Sequence, residues 1–140
     1  MTIVDLTGMA ITEIRDFPAV SAIVGEKTRP EWGKAEGPPG VIIEGLAIDF
    51  NPVPRVRRAR LQAPMYVAKC YGQTKVQAVQ VRNAVVEAVE LRGPRVDAAG
   101  RLVFISLVEG GGEVELEPNT NWPVCTVTFS LLGAQQAITV

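Results

Sequence analysis

The chain has 140 residues, 47% hydrophobic and 21% charged, with 14 basic against 15 acidic side chains and no histidine. A chain of this length buries roughly 70% of the surface its unfolded form exposes, so one compact domain over 1–140 is expected, with no metal or disulfide needed to hold its core. No apolar run reaches the ~18 residues of a membrane span, and residues 1–10 have neither the basic start nor the apolar stretch of a signal peptide.

The missing histidine removes the commonest general base, the commonest transition-metal ligand and any Ser-His or Cys-His nucleophile pair. Cys70 and Cys125 lie in apolar stretches and read as free buried thiols, with no framework and no metal spacing. The net charge of −1 conceals three blocks: residues 1–53 carry 4 basic and 8 acidic groups, 54–108 carry 10 and 3, and 109–140 carry 0 and 4. Faces that differ this much in sign attract copies of the chain or stacked partners; the plainer reading is solvated loops and helix faces.

Ile3, Leu6, Ala10, Ile14 and Phe17 recur three or four apart, which predicts a helix over 5–15 with Thr2 or Asp5 as its cap. Pro18 suits the first turn of a second helix over 18–24, which Gly25 ends. Residues 26–40 hold Pro30, Gly33, Gly37, Pro38, Pro39 and Gly40 and read as a long loop, of the kind that is usually functional or mobile. Over 41–50, Ile42, Leu46, Ile48 and Phe50 share one strand face with Glu44, and Asn51, Pro52 and Pro54 close the strand. A second strand follows over 61–71, where Pro64 points to a sheet edge or a bulge, and the two strands form a long hairpin.

Thr74-Lys75-Val76-Gln77 fits a capping box and opens a helix over 75–91 that Gly93-Pro94 terminates. Its apolar stripe of Ala78, Val79, Val81, Val85, Val86, Ala88 and Val89 covers nearly half the circumference, more than one sheet needs. Residues 102–108 are apolar on both faces. Gly110-Gly111-Gly112 then reads as a hairpin tip returning the chain into an alternating strand, with Val114 and Leu116 inward and Glu113, Glu115 and Glu117 outward. The last strand, 124–132, sets Cys125, Val127, Phe129 and Leu131 against Thr126, Thr128 and Ser130, the pattern of a half-buried antiparallel strand. The order predicts an α+β fold: an antiparallel-rich β-sheet with a long hairpin, packed against one long helix and the N-terminal helices.

No motif amounts to an active site. Gly25-Glu26-Lys27-Thr28 lacks the earlier glycine and the leading strand of a phosphate loop. Glu44 and Asp49 point to opposite faces of one strand, and Glu109, Glu113, Glu115 and Glu117 read as a solvated face in preference to a calcium site. No catalytic residue, cofactor or metal is expected. Arg55, Arg57, Arg58 and Arg60 form the strongest cationic feature and read as a solvated turn, a protein interface or a DNA contact; they lack the interleaved aromatics of single-strand binders. Arg82 falls near the middle of the helix stripe, so either the stripe is two narrower faces with Arg82 at their boundary, or part of it meets a neighbouring subunit with Arg82 paired across the joint. Arg55, Arg57, Arg58, Arg60 and Arg82, with Glu113, Glu115 and Glu117, are the candidate interface residues.

The sequence resembles the tail terminator (tail completion, or head-to-tail joining) proteins of long-tailed bacteriophages. The resemblance rests on the N-terminal helix followed by Asp16-Phe17-Pro18-Ala19-Val20-Ser21-Ala22-Ile23-Val24-Gly25, the loop through Arg29-Pro30, and the strand opening at Pro39-Gly40-Val41-Ile42. It continues through the strand ending at Tyr71, the alanine- and valine-rich helix over 75–91 and the closing strand over 124–132. It implies a non-catalytic α+β subunit, made in the host cytoplasm, that joins a homo-oligomeric ring, usually a hexamer, at the top of the tail tube in the virion. Such a ring stops tube growth and presents the docking surface for the neck. Its partners would be the tail tube protein, the head-completion proteins and genomic DNA passing through the lumen, and strand edges and loops would join its subunits. The alternatives are another neck or tail ring protein, a small nucleic-acid-binding module using Arg55 to Arg60, and, third, a small enzyme.

Overall fold

The computed structural model describes residues 3–47 and 61–138, so the arginines at 55, 57, 58 and 60, with Asp49 and the expected strand end at Ile48 and Phe50, lie outside the described residues. The elements run α1 (Thr7–Arg15), α2 (Pro18–Val24), β1 (Thr28–Arg29), β2 (Gly40–Ala47), β3 (Leu61–Gln62), β4 (Met65–Tyr71), α3 (Lys75–Val89), β5 (Arg95–Val96), β6 (Leu102–Gly111), β7 (Glu115–Leu116) and β8 (Pro123–Ala134). This is the expected α+β class, with one sheet in the order β1-β2-β4-β8-β6-β5 and with β3 and β7 also on β8. Every pairing is antiparallel except β1 with β2.

The helices start and stop where local chemistry satisfies their free backbone groups. Leu6 takes the cap position without a side-chain bond, and Asp5 Oδ1 just ahead of it accepts the Thr7 N–H at 2.9 Å, so α1 begins two residues later than expected. Its core face is Leu6, Met9, Ala10 and Ile14; Ile3 lies off that face, 43% exposed. Pro18 opens α2, and Gly25 ends it at φ +64°. Thr74 Oγ1 accepts the Gln77 N–H at 3.1 Å, while Gln77 reaches back to the N–H of Gln73, one residue earlier than the reciprocal bond of a capping box. At the other end the left-handed residue is Leu91 (φ +51°), so α3 stops short of Gly93-Pro94.

The broad stripe of α3 is consumed within the chain. The helix packs on β4, β6 and β8 and also touches α1 and α2, which takes up the width that one sheet would leave open. Ala78, Val81, Ala84, Val85, Ala88 and Val89 are buried, and all but Ala78 join Val127, Phe129 and Leu131 of β8, with Val41 and Ile43 of β2, in one core.

Two further readings gain detail and a third is corrected. The 26–40 segment is a strap: β1 pairs with Val41 and Ile42, Lys27 Nζ donates to Gly37 O at 2.9 Å, and Arg29 pairs with Glu36 at 2.8 Å. Pro64 separates β3 from β4, both of which lie along β8, and among the described residues β3 has β8 alone as a neighbour, as the sheet-edge reading of this proline expects; its carbonyl still accepts the Leu131 N–H at 3.1 Å. Gly110 to Gly112 do not reverse the chain, because β6 and β7 run the same way along β8 and the turn comes at Glu117 to Trp122. The ladder slips one residue between Val103 and Ile105 and again between Val108 and Gly110. Between the Gly111–Val127 and Glu115–Val124 pairs the β6–β7 side advances four positions and β8 three. Such insertions bend and twist a strand, and all three fall on the β6–β7 side of the pairing.

Gly72 joins β4 to α3 in a tight passage: a Cβ there would sit 2.8 Å from both Gln77 C and Thr74 O. Gly72→Ala is therefore expected to lose roughly 1–3 kcal/mol by urea denaturation, the range for forced overpacking. Gly93→Ala, where nothing lies within 4 Å, is the control and should stay within about 0.5 kcal/mol of the parent.

Candidate interaction surface

Arg82 sits on α3 at the rim of a groove of about 520 Å³, facing Val108, Gly110, Gly112 and Glu113 of the ribbon. The guanidinium donates to Asn83 Oδ1 at 3.1 Å, to Cys125 Sγ at 3.4 Å and marginally to Gly112 O at 3.5 Å. All are neutral acceptors, and among the described residues no carboxylate lies within ion-pair distance. The half-buried cation is at a boundary between buried and open helix faces.

The three glutamates do not form one solvated face. Glu113 and Glu115 are exposed, but Glu117 turns inward, because the turn that reverses the ribbon closes on its own backbone: Glu117 N–H donates to Trp122 O at 2.9 Å and Asn121 N–H to Glu117 O at 2.8 Å. Leu116, expected inside, is 47% exposed. Among the described residues no three of the candidate calcium-binding side chains gather in one place, and Glu109 instead accepts the Ser130 hydroxyl at 2.6 Å. Glu44 pairs with Lys69 at 3.2 Å. The Gly25-Glu26-Lys27-Thr28 run enters a strand, with no helix behind it.

Glu117 faces a second cluster on the side of the sheet away from the helices, which the sequence reading missed. Trp32 from the strap, Tyr71 of β4 and Trp122 from the turn meet edge to face, with ring centres 5.2 to 6.1 Å apart, over Ile42 and Val124. A Cβ on Gly40 would meet the Trp32 ring at 2.6 Å, so glycine lets the indole lie against the strand. Burial pushes the Tyr71 hydroxyl well above its ordinary pKa, helped by Glu117 and then Glu44. Trp32 Nε1 and Glu117 Oε2 are buried without a hydrogen-bond partner among the described residues. The available signal was two tryptophans in segments rich in proline, glycine and polar residues, since indoles of that area pack somewhere even when their local sequence has no apolar period.

A third feature escaped the sequence because its members are distant in the chain. Arg95 grips Glu13 with two bonds, Nε to Oε2 at 2.6 Å and Nη2 to Oε1 at 2.9 Å, both side chains being 13% exposed. The same guanidinium donates to Ser106 Oγ at 3.1 Å, and Ser106 donates to Val89 O at 2.6 Å. The network fastens α1 to β5, β6 and the end of α3.

The margins of the sheet are only partly covered. Among the described residues β1 pairs with β2 at Val41 and Ile42, leaving Ile43 to Ala47 with a neighbour on one side only. At the opposite margin β5 and the Arg92–Ser106 bridge cover β6 as far as Ser106, leaving Leu107 to Gly111 bonded to β8 alone.

No protein-family model matches the sequence, and no curated protein matches it. The fold resembles that of a chain in the virion of a native gene transfer agent (GTA) particle. The TM-score is 0.60, the match covers 89% of this chain and 91% of that one, and identity is 12%. At that identity the likeness is one of fold.

Removing one partner of the Glu13–Arg95 pair leaves a largely buried charge uncompensated. Glu13→Gln should cost on the order of 3 kcal/mol in urea denaturation. Arg101→Ala, which breaks the more exposed pair with Asp97, should cost about 1 kcal/mol or less.

Proposed function

We propose that the protein is a structural component of a phage-like particle and, within it, a tail terminator. In this reading copies of the chain close into a ring, a hexamer, that caps the tail tube, ends its growth and offers its far face to the head-completion proteins, while genomic DNA passes through the lumen. The observation that carries the proposal is the fold likeness to a gene transfer agent virion chain over about nine-tenths of both chains. The residues that resemble tail terminators run through the same elements, from α1 to β8.

Two features of the surface support a ring. The uncovered stretches of β2 and β6 lie at opposite margins of one sheet, and two different patches on each subunit make the head-to-tail contact that closes into a ring. Arg82, the exposed Glu113 and Glu115, and the arginines at 55, 57, 58 and 60 supply charge for contacts between copies or with tube and neck. The work is done by binding and needs no cofactor, and the whole chain, 1–140, acts as one domain.

Native mass spectrometry of the purified protein over a range of concentrations, with purified tail tubes added in a second series, tests the reading. A closed six-fold species, alone or on the tube end, is expected. A chain that stays monomeric in both series and is retained on DNA in a salt-dependent way overturns it in favour of a nucleic-acid-binding module. Arg82→Glu should weaken assembly by about tenfold or more, the equivalent of ~1.4 kcal/mol, with unchanged circular dichroism. Unchanged oligomer mass in that variant removes Arg82 from the interface.

A further inference from the structure

We propose that Cys70 and Cys125 are a dithiol that a hydroperoxide closes into a cross-strand disulfide, tying β4 to β8 beneath the Arg82 groove. The two residues are directly opposite in the antiparallel ladder, and both are free and fully buried. Opposed residues in such a ladder have Cα atoms about 4.5–5.5 Å apart, with side chains on the same face. That separation lies inside the ~4.4–6.8 Å that a disulfide spans. Joining the sulfurs requires the Cys70 side chain to turn from Ala68 O and the Cys125 side chain from Gly112 O, toward each other across the strand pair.

The surroundings assign different roles to the two thiols. Cys125 Sγ lies 3.4 Å from Arg82 Nη1 and 3.3 Å from Gly112 O, directly behind the groove. Arg82, held there among the described residues by neutral acceptors alone, is the side chain that has to move for a hydroperoxide to reach the buried thiol. Cys70 Sγ turns back toward Ala68 O at 3.7 Å, and burial raises its thiol pKa far above the ordinary value. Cys125 is therefore the attacking sulfur and Cys70 the resolving one.

In the first step the Cys125 sulfur bonds to one peroxide oxygen, the O–O bond breaks, and a sulfenic acid and one water form. In the second the Cys70 sulfur attacks the Cys125 sulfur, the S–O bond breaks, and the oxygen leaves as a second water with the Cys70 proton. Two thiols are oxidised to one disulfide and one peroxide is reduced to two waters. The covalent loop encloses α3, β5, β6 and β7. The timing of the step rests on the proposed virion role: a particle assembles in a reducing cytoplasm and is released into an oxidising medium.

Purified protein treated with hydrogen peroxide, unfolded and assayed for thiols tests the proposal, with peptide mapping under non-reducing conditions. The two free thiols should fall to none, the peptides bearing Cys70 and Cys125 should appear joined within one chain, and a reductant should separate them. Oxidation should also raise the thermal midpoint. In Cys70→Ala, Cys125 should proceed to sulfinic acid with no joined peptide. Thiols that survive peroxide in the folded parent, sulfinic acid at both positions, or a link between chains would each overturn the assignment. These readouts are independent of assembly: a joined pair in a protein that forms no ring retains the dithiol and sinks the virion reading, while the reverse result does the opposite.

Discussion

The hydrogen-bonding demand of β8 organises the molecule. This 12-residue strand runs through the middle of the sheet with β3 and β4 along one margin and β6 and β7 along the other, so its amides and carbonyls have neighbours on both sides over most of its length. Strict alternation then sends Val127, Phe129 and Leu131 into the core beneath α3 and leaves Thr126, Thr128 and Ser130 on the other face. Each fully buried side chain of this size contributes about 1.5–3 kcal/mol. Where the strand ends, two buried amides take over: Gln62 Nε2 donates to Val4 O and Ala134 O, and Gln135 Nε2 to Leu61 O. They bind the first residues of the chain to the last turn of the sheet.

Because β8 is fixed from both sides, irregularity is displaced onto its neighbours. β4 meets it through a break at Pro64, and the β6–β7 strand through three inserted residues. The third insertion, at the glycines, lies opposite Arg82, Asn83 and Val86 of α3, where the groove opens. The ribbon then turns and delivers Trp122 and Glu117 to the far face, where the strap supplies Trp32. The two sides of the sheet are therefore closed in different ways: three helices cover one, and a small aromatic cluster covers one end of the other.

Much of this was legible where a local rule decides. Helix α2 matches its proline and glycine signals to the residue, the threonine cap of α3 was visible in the sequence, and the alternation of β8 named its buried side. The failures over 110–117 share one cause. A bulge resets the period of two, so Glu113, Val114, Glu115, Leu116 and Glu117 keep their alternation while the frame that assigns inside and outside has shifted. The glycines that looked like a turn are the place where it shifts. The width of the α3 stripe was read correctly, but its occupants, α1 and α2, come from earlier in the chain, and sequence spacing cannot show which surfaces meet. The Glu13–Arg95 pair and the Cys70–Cys125 register were hidden for the same reason.

Folding also changes what the charge blocks mean. The acidic first block and the basic second block cancel partly within the chain: Glu13 takes up Arg92 and Arg95, and Glu44 takes up Lys69. Arg29 and Glu36 pair inside the first block, and Arg101 and Asp97 inside the second. Attraction between whole regions of opposite sign is thus weaker than the sequence totals suggest. What survives is local. Among the described residues Arg82 has only neutral acceptors, and the exposed Glu113 lines the same groove. In the proposed ring, a contact built there would set this guanidinium against a carboxylate of a neighbouring copy, specific in geometry and sensitive to the packing of α3 on β8. Any covalent tie between β4 and β8 beneath that guanidinium would stiffen the wall on which the contact is made.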